Sequence, residues 1–443
     1  MVSIPGAALP FPDIMVPGRS ASRAHRPFLR RIAGTLAPGM LVAVGYMDPG
    51  NWATDIAAGS AFGFDLLFVL VAAGLAAIVL QSLALRLGIA SGLDLAQACR
   101  RRYGTGANVT LWLLAELAIL ATDVAEVLGS ALAIKLLLGF PLWAGIVLTA
   151  GDTLIVLGLE GRGFRRMEAI VAALVGTIAL CFLIELLIVP PDGAALAAGL
   201  APDLSRLAQP GALALAVGIV GATVMPHNLY LHSSIVQGAT LPVGEAGKRR
   251  AICDANKGSI MALLLAMMVN GAILALGAGA FHMTGHAQVG GIEDAYRLLS
   301  PITGTAAAGL FFGIALLASG QSSTFTGTLA GQVVLEGFLV MRMPLWQRRL
   351  ITRLIALVPA MTGVLLLGEH AVGSMLVVSQ MVLSLQLPFA IWPLIRANRD
   401  PAIMKGLRAS RFHAAFAWLI LAAILIADLW LVCDVSIGVF QSR

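Results

Sequence analysis

The feature that most constrains this chain is a series of apolar segments, each about 20 residues long, between residues 38 and 433. A helix of about that length spans the hydrocarbon core of a bilayer. Hydrophobic residues make up 59% of the sequence and charged residues only 12%, whereas soluble domains carry roughly 25% charged residues. The sequence therefore predicts an all-α, polytopic membrane protein.

Eleven membrane-spanning helices are predicted from these segments. Their ranges are 38–60, 66–90, 107–135, 141–159, 168–189, 212–237, 258–281, 305–333, 347–367, 373–395 and 413–433. Residues 36–435 are thus expected to form a single transmembrane domain, flanked by an N-terminal tail (1–35) and a C-terminal tail (436–443).

The distribution of basic residues predicts the orientation of the chain. Most of the 29 Lys and Arg residues lie in the N-terminal tail and in the even-numbered connections, including Arg348 and Arg349 in the eighth. Basic connections tend to stay in the cytoplasm, so we expect a cytoplasmic N-terminus and an external C-terminus. The tail has no compact apolar segment of the kind found in signal peptides. The Ala-, Leu- and Arg-rich composition favours a bacterial inner membrane. We predict neither a nucleic-acid partner nor an obligate protein partner.

Two of the predicted helices, the first and the sixth, are interrupted near their middle. The interruptions are Asp48-Pro49-Gly50-Asn51 and Met225-Pro226-His227. Two groups of five helices (about 38–189 and 212–395) then each begin with a broken helix and leave one helix over (413–433), the pattern of an inverted-repeat transporter. Proline alone could merely kink both helices. Kinks would not explain the polar residues beside them.

The polar groups beside the two breaks predict a metal site. An ionised carboxylate at the bilayer centre costs on the order of 3 kcal/mol, so Asp48 should face the protein interior, although helix-end amides could also satisfy it. Asn51 can offer its amide oxygen or act as a helix cap. Met225 alone could be core filler. Pro226 can begin a second half-helix and thereby free the backbone carbonyl of Ala222.

This set of donors predicts the class of ion. Magnesium and calcium prefer all-oxygen shells, whereas manganese, iron and softer dications tolerate or favour a sulfur ligand. We therefore expect divalent transition metals as transported substrates and no permanently bound cofactor. The argument does not rank Mn²⁺ against Fe²⁺.

Acidic residues of the third helix predict a route for protons. Glu116, Asp123 and Glu126 share one stripe of that helix at bilayer depth. Neighbouring acids repel one another when ionised, which favours proton uptake near neutral pH. Arg353 in the ninth span is the natural counter-ion, and a purely structural ion-pair network is the alternative.

Two histidines follow the second break. His227 comes directly after Pro226, and His232 lies five residues further along the same half-helix. A single histidine in a membrane helix is often only a hydrogen-bonded packing residue, but two beside a metal site can relay protons or line the exit path.

Several runs of residues resemble one known family. YMDPGNWATD, ATDVAEVLGS, GATVMPHNLYLHSS, ASGQSSTFTGTLAGQ and SQMVLSLQLPFA look like the signature segments of the Nramp proton-coupled manganese and iron transporters. The resemblance covers about residues 35–435. It implies a LeuT-type fold, a 5+5 inverted repeat plus an eleventh helix, with helices 1 and 6 unwound at mid-membrane.

The resemblance also implies roles for individual residues. Asp48, Asn51 and Met225 would bind the metal, with the carbonyl of Ala222 completing the shell, and Gln380 would approach the metal in some conformations. A basic residue of the ninth helix would face the acids of the third. A magnesium-transporting branch of the family departs from the methionine of MPH, which this chain keeps.

Three other classes of protein fit this sequence less well. A sodium-coupled amino-acid transporter shares this architecture, but Asp48 would repel a substrate carboxylate. A membrane metalloenzyme is disfavoured because the chain contains neither H-E-x-x-H nor G-x-S-x-G. A passive channel would need a continuous polar pore. The sequence thus predicts a secondary active transporter and not an enzyme: proton-coupled metal import by alternating access.

Overall fold

The computed structural model describes residues 39–151, 164–237, 244–285, 291–304 and 306–441. Within these ranges the chain is helical and contains no β-strand. In chain order the helices are α1 (39–45), α2 (Pro49–Phe62), α3 (Leu67–Ser91), α4 (Leu95–Arg102), α5 (Thr105–Leu138), α6 (Leu142–Leu148), α7 (Phe164–Ile188), α8 (Gly193–Gly199), α9 (Ala212–Val224), α10 (Pro226–Ile235), α11 (Glu245–Leu276), α12 (Ile292–Thr303), α13 (Ala306–Leu339), α14 (Leu345–Leu367), α15 (Val372–Arg399), α16 (Pro401–Met404) and α17 (Arg411–Gln441).

Nine helical segments of the described chain are long and apolar enough to cross a membrane. They confirm the predicted all-α membrane class. The first predicted span is divided into the short helices α1 and α2. The fourth begins with α6, but residues 152–159 lie outside the described ranges, as does the predicted tail 1–35.

The helices pack in two groups around the interrupted segments. In one group, α3 contacts α9, α10 and α11, and α2 contacts α9 and α11. In the other, α5 contacts α6, α13 and α14, and α13 contacts α7. Helix α15 packs against α2, α5 and α9. The interrupted segments therefore lie between the two groups, where every face can be covered by protein.

The first interruption follows from its own sequence. Residues 46–48 are not helical, and α2 begins with Pro49, whose missing N–H would have no partner at a helix start anyway. The Asp48 carboxylate accepts hydrogen bonds from the N–H groups of Asn51 at 3.0 Å and Gly50 at 3.3 Å. This is the N-cap arrangement, so the alternative in which helix-end amides satisfy Asp48 is realised in part.

Neighbouring side chains satisfy the backbone carbonyls that this interruption exposes. The Tyr46 carbonyl accepts a hydrogen bond from Asn270 Nδ2 at 2.9 Å, and the Met47 carbonyl accepts one from Trp52 Nε1 at 3.2 Å. Because an unsatisfied backbone group in hydrocarbon costs several kcal/mol, these bonds make a non-helical segment tolerable at membrane depth.

The second interruption lies at Met225, between α9 and α10. Its φ and ψ are 44° and 100°, a combination that a residue with a side chain adopts only when its surroundings enforce it. Pro226 then begins α10. A backbone held in this strained form at one residue is typical of a functional site.

Helix α14 begins earlier than predicted. It starts at Leu345, so Arg348 and Arg349 are helical and buried. Their assignment to a solvent-exposed connection was wrong. Both arginines already lay within the predicted span 347–367, but they were counted with the basic residues of the connection before it.

Candidate functional site

The two interruptions bring polar groups of α2 and α9 into direct contact. Asn51 Nδ2 donates hydrogen bonds to Asp48 Oδ1 at 2.6 Å and to the carbonyl oxygen of Ala222 at 2.9 Å. All three residues are buried. Ala222 lies four residues before Pro226, where a helical N–H would otherwise have taken its carbonyl. Three of the predicted metal-binding residues are therefore neighbours.

Asn270, on α11, orients the amide of Asn51. Its Nδ2 donates to Asn51 Oδ1 at 3.1 Å while also holding the Tyr46 carbonyl. The amide nitrogen of Asn51 therefore faces Asp48, and its oxygen faces α11. For that oxygen to meet a cation, the amide must rotate and release Asn270. The sequence analysis missed Asn270, although a lone amide in an otherwise apolar run was an available signal.

Gln380 borders the same site, and Met225 lies at the second interruption. Met225 is buried, and its sulfur lies 3.5 Å from Asn228 Nδ2. Gln380 of α15 packs against the backbone of Gly50, since a Cβ built there would lie 1.9 Å from Gln380 Nε2 and 3.0 Å from Asp48 Oδ2. Gln380 Oε1 has no hydrogen-bond partner among the described residues.

The chemistry of this set is a single carboxylate among neutral donors. The described residues contain no group of three or more His, Cys, Asp or Glu side chains that could hold a metal ion. Binding of a dication here would depend on one charge, a carbonyl, an amide and a thioether. Such a mixed oxygen and sulfur set favours transition metals over magnesium and calcium.

The acids of α5 form buried ion pairs with α14. Arg349 contacts Asp123 at 2.6 Å and Glu126 at 3.0 Å, and all three side chains are buried. The predicted counter-ion, Arg353, is more distant: its Nη1 lies 3.9 Å from Glu126 and donates to the Asp123 carbonyl at 3.4 Å. Arg349, one turn earlier on the same face of α14, is the principal partner.

Glu116 forms a separate pair nearer the start of α5. Both of its carboxylate oxygens accept hydrogen bonds from Arg348 Nη2, at 2.9 and 2.8 Å, and Trp112 Nε1 donates to it at 3.0 Å. The side chain is partly exposed. The three acids are thus a stripe in which each member faces a guanidinium of α14.

The two histidines of α10 occupy different surroundings, and both are buried. His227 Nδ1 lies 3.5 Å from Thr122 Oγ1 on the acid-bearing helix. His232 Nδ1 lies 2.9 Å from Gln81 Oε1, and Gln81 Nε2 donates to Tyr46 Oη at 2.8 Å. His227 is therefore adjacent to the acid stripe, whereas His232 belongs to a hydrogen-bonded network between α3 and the first interruption.

The relatives of this chain are similar over nearly its whole length. A divalent metal cation transporter MntH of Ralstonia nicotianae is 54% identical, over 97% of each chain. The divalent metal cation transporter MntH 1 of Pseudomonas aeruginosa is 56% identical, over 96% of this chain and 97% of that one.

Solved structures show the same fold. A crystal structure of the Eremococcus coleocola manganese transporter matches with a TM-score of 0.86 at 37% identity, over 95% of this chain and 90% of that one. Mhp1, a nucleobase-cation-symport-1 family transporter, matches with a TM-score of 0.62 at 17% identity, which shows the shared LeuT-type fold alone. The family model described as natural resistance-associated macrophage protein-like matches residues 39–434. This chain belongs to the Nramp family.

Proposed function

We propose that this protein imports divalent transition-metal ions, manganese or iron, together with protons by alternating access. The observation that carries the proposal is the meeting of Asp48, Asn51 and the Ala222 carbonyl between two interrupted helices. The similarity to divalent metal cation transporters over nearly the whole chain supports the same activity. A secondary active transporter, and not an enzyme, accounts for both.

The metal would bind between α2 and α9. Asp48 supplies the charge, Asn51 its amide oxygen after rotation, Ala222 its carbonyl and Met225 its sulfur. Gln380 would join as α15 moves relative to α2. Release to the other side requires the half-helices to rearrange, and both end at non-helical residues that can absorb a change in backbone angles.

Protons would move through Asp48 and the acid stripe of α5. The nearest link between them is His227, which lies beside Thr122, the residue before Asp123. His232 is less directly placed, since its Nδ1 lies beside Gln81 of α3. Arg349 and Arg353 pair with the acids of the stripe in a buried environment. Gain or loss of one proton by these acids would change the net charge between α5 and α14.

Uptake into liposomes tests the proposal. Protein reconstituted with a pH-sensitive dye inside should take up Mn²⁺ and acidify the lumen, and Asp48→Ala should lose both signals. Asp203→Asn, an exposed acid that hydrogen-bonds only within its own loop, serves as the control with unchanged transport.

The outcomes separate the parts of the proposal. Manganese uptake without acidification would reject proton coupling. Uptake that persists in Asp48→Ala would reject the metal site. Stabilisation by amino acids but not by Mn²⁺ in a thermal-shift assay would favour an amino-acid transporter of the same fold.

A further inference from the structure

An open groove runs along the outside of the bundle between α5, α15 and α17. Its volume is about 570 Å³, and its walls are almost entirely apolar. Phe389, Trp392 and Leu429 line it and are exposed, so the groove opens toward the surrounding hydrocarbon. A concave apolar surface of this size is larger than a single side chain requires and is typical of a ligand site.

The groove extends along the direction in which a lipid chain lies in a membrane. Tyr103, just before α5, marks one end. Along α17 the lining residues run from Leu421 to Val432, about 16 Å at 1.5 Å per residue, and include Asp428. The Asp428 carboxylate accepts a hydrogen bond from Ser384 Oγ at 2.7 Å. This length is close to the hydrocarbon thickness of one leaflet, about half of the roughly 30 Å core.

Positive charge is concentrated at the Tyr103 end. Arg102 directly precedes the lining residue Tyr103, and Arg396 lies one helical turn after the lining residue Trp392 on α15, so both arginines belong to the segments that form this end of the groove. Arg102 forms an ion pair of 2.5 Å with Asp400, which offsets its charge. Arg396 is exposed and resides at the last turns of α15.

Aromatic side chains mark the membrane boundary at the same end. Trp392 lines the groove and packs edge-on against Trp418, with ring centroids 4.9 Å apart. Tryptophan is enriched where hydrocarbon meets headgroups. Arg396 follows Trp392 by one helical turn, which is the position of a lipid phosphate.

We propose that this groove binds one anionic phospholipid, with an acyl chain along α5, α15 and α17 and its phosphate at Arg396 and Arg102. The apolar walls favour an acyl chain, and the basic residues at the mouth favour an anionic headgroup. Basic pockets between transmembrane helices at the basic side of a membrane protein recognise anionic headgroups in this way. The proposal does not depend on which ion is transported.

Native mass spectrometry of the full-length protein in detergent tests it. Phosphatidylglycerol and phosphatidylethanolamine with identical acyl chains should compete, and the protein should retain phosphatidylglycerol about fivefold more strongly, the effect of roughly one basic contact. Arg396→Glu should abolish the preference. Ala107→Phe, which fills the groove from the exposed start of α5, should weaken binding of both lipids.

Arg250→Glu is the matched control. Arg250 is an exposed basic residue at the start of α11, at the same end of the protein, because Glu245 of that helix lies against Gly406 after α16. This variant should keep the fivefold preference. Equal retention of the two lipids by the unmodified protein, or equal loss of preference in Arg250→Glu and Arg396→Glu, would overturn the proposal. Competition by glycerol phosphate as strong as by the intact lipid would also overturn it, because the groove would then play no part.

Discussion

At the scale of single residues, the candidate site combines one charge with several neutral donors. Asp48 is the only acid in contact with Asn51 and the Ala222 carbonyl among the described residues. The selectivity of such a site must therefore come from the kind of neutral donors present. Met225 is the only one of them that is soft, and selection between classes of ion should depend on it.

Met225→Ala should reduce discrimination against hard ions. Without the thioether, the remaining donors are all oxygen atoms, which suit magnesium and calcium. We expect the concentration of Mg²⁺ that halves Mn²⁺ uptake in liposomes to fall on the order of tenfold, or about 1.4 kcal/mol. Met268→Ala, an exposed methionine of α11, should leave it unchanged. The same magnesium sensitivity in both variants would remove the argument from sulfur.

The buried pairs of α5 and α14 predict unequal effects of two arginines. Arg349→Ala leaves Asp123 and Glu126 without their closest partner and should lower stability by roughly 3–5 kcal/mol. Arg353→Ala removes a contact of 3.9 Å and should lower it less. Thermal unfolding in detergent measures the difference.

Two further variants complete that comparison. Arg349→Lys should recover only part of the loss, because an ammonium group lacks the planar fork that reaches two carboxylates. Arg297→Ala, which breaks an exposed pair with Glu293, should change stability by under about 1 kcal/mol. A larger effect at Arg353 than at Arg349 would contradict the assignment of the principal partner.

The residues also show what sequence reasoning could reach. Asp48, Asn51 and Met225 were recognisable because each lies within two residues of a proline in an apolar segment. Arg349 was missed because it was counted with the basic residues of the eighth connection, although the predicted span 347–367 includes it. Asn270 was missed because its role is set by contact with Tyr46 and Asn51, which are more than 200 positions away in the chain. Local patterns carry no information about such partners.

At the scale of elements, the second interruption depends on close packing of α9 against α15. A Cβ added to Gly221 would lie 2.0 Å from the Gln380 carbonyl oxygen and 2.7 Å from the Ser384 nitrogen. Both contacts are with backbone, which cannot move aside as a flexible side chain can. Glycine at this position therefore sets the distance between α9 and α15.

Gly221→Ala should force the two helices apart. We expect a loss of about 1–3 kcal/mol of stability, typical of overpacking, and slower Mn²⁺ uptake because Gln380 moves away from Gly50. Gly271→Ala is the control: nothing lies within 4 Å of its added Cβ, and alanine is the better helix former by about 1 kcal/mol. Equal melting temperatures for the two variants would refute the close approach.

The short helix α4 adds a pH-dependent contribution outside the membrane. Asp94 caps α4 through the Gln97 N–H at 2.8 Å, and burial raises the pKa of this carboxyl to about 7 although that hydrogen bond opposes the rise. The folded state therefore holds a proton that the unfolded chain releases near pH 4. The contribution of Asp94 to stability should therefore be complete below about pH 4 and should be lost as pH rises toward 7.

Asp94→Asn removes this titration while keeping a good N-cap. The free energy of unfolding of the natural protein relative to the variant should fall between pH 4 and pH 7 by an amount on the order of a few kcal/mol, seen as a fall in its relative melting temperature. The two curves should run parallel above that range. A constant difference from pH 4 to pH 7 would show that Asp94 is ionised throughout.

At the scale of the whole molecule, the all-α membrane class followed from the apolar segments and the LeuT-type fold from the family resemblance, and similarity to solved structures confirms both. The division into repeats, 38–189 and 212–395, stays a prediction, as do the tails.

Hydropathy predicts which segments cross a membrane, but not how far each helix continues beyond it. Helix α11 begins at Glu245, 13 residues before the predicted span, because its polar first turns lie outside the apolar run.

The orientation of the molecule can be tested with two cysteines. In a cysteine-free background, Asp192→Cys and Ser410→Cys place thiols at exposed positions in connections of opposite predicted sides. An impermeant maleimide added to intact cells should label residue 192 and not residue 410. Labelling only at residue 410 would reverse the topology, and the direction of metal transport with it.

The amide of Asn51 has a consequence for how cargo is handed across the membrane. Under the proposed function, an ion entering between Asp48 and Ala222 would displace the Asn51 Nδ2 donor, so its net binding free energy would be the difference between its own contacts and those of that amide. An ion held by that difference alone would leave readily once the far side opens. Asn51 would thus act as an internal competitor, and altering the strength of its hydrogen bonds should exchange retention for turnover.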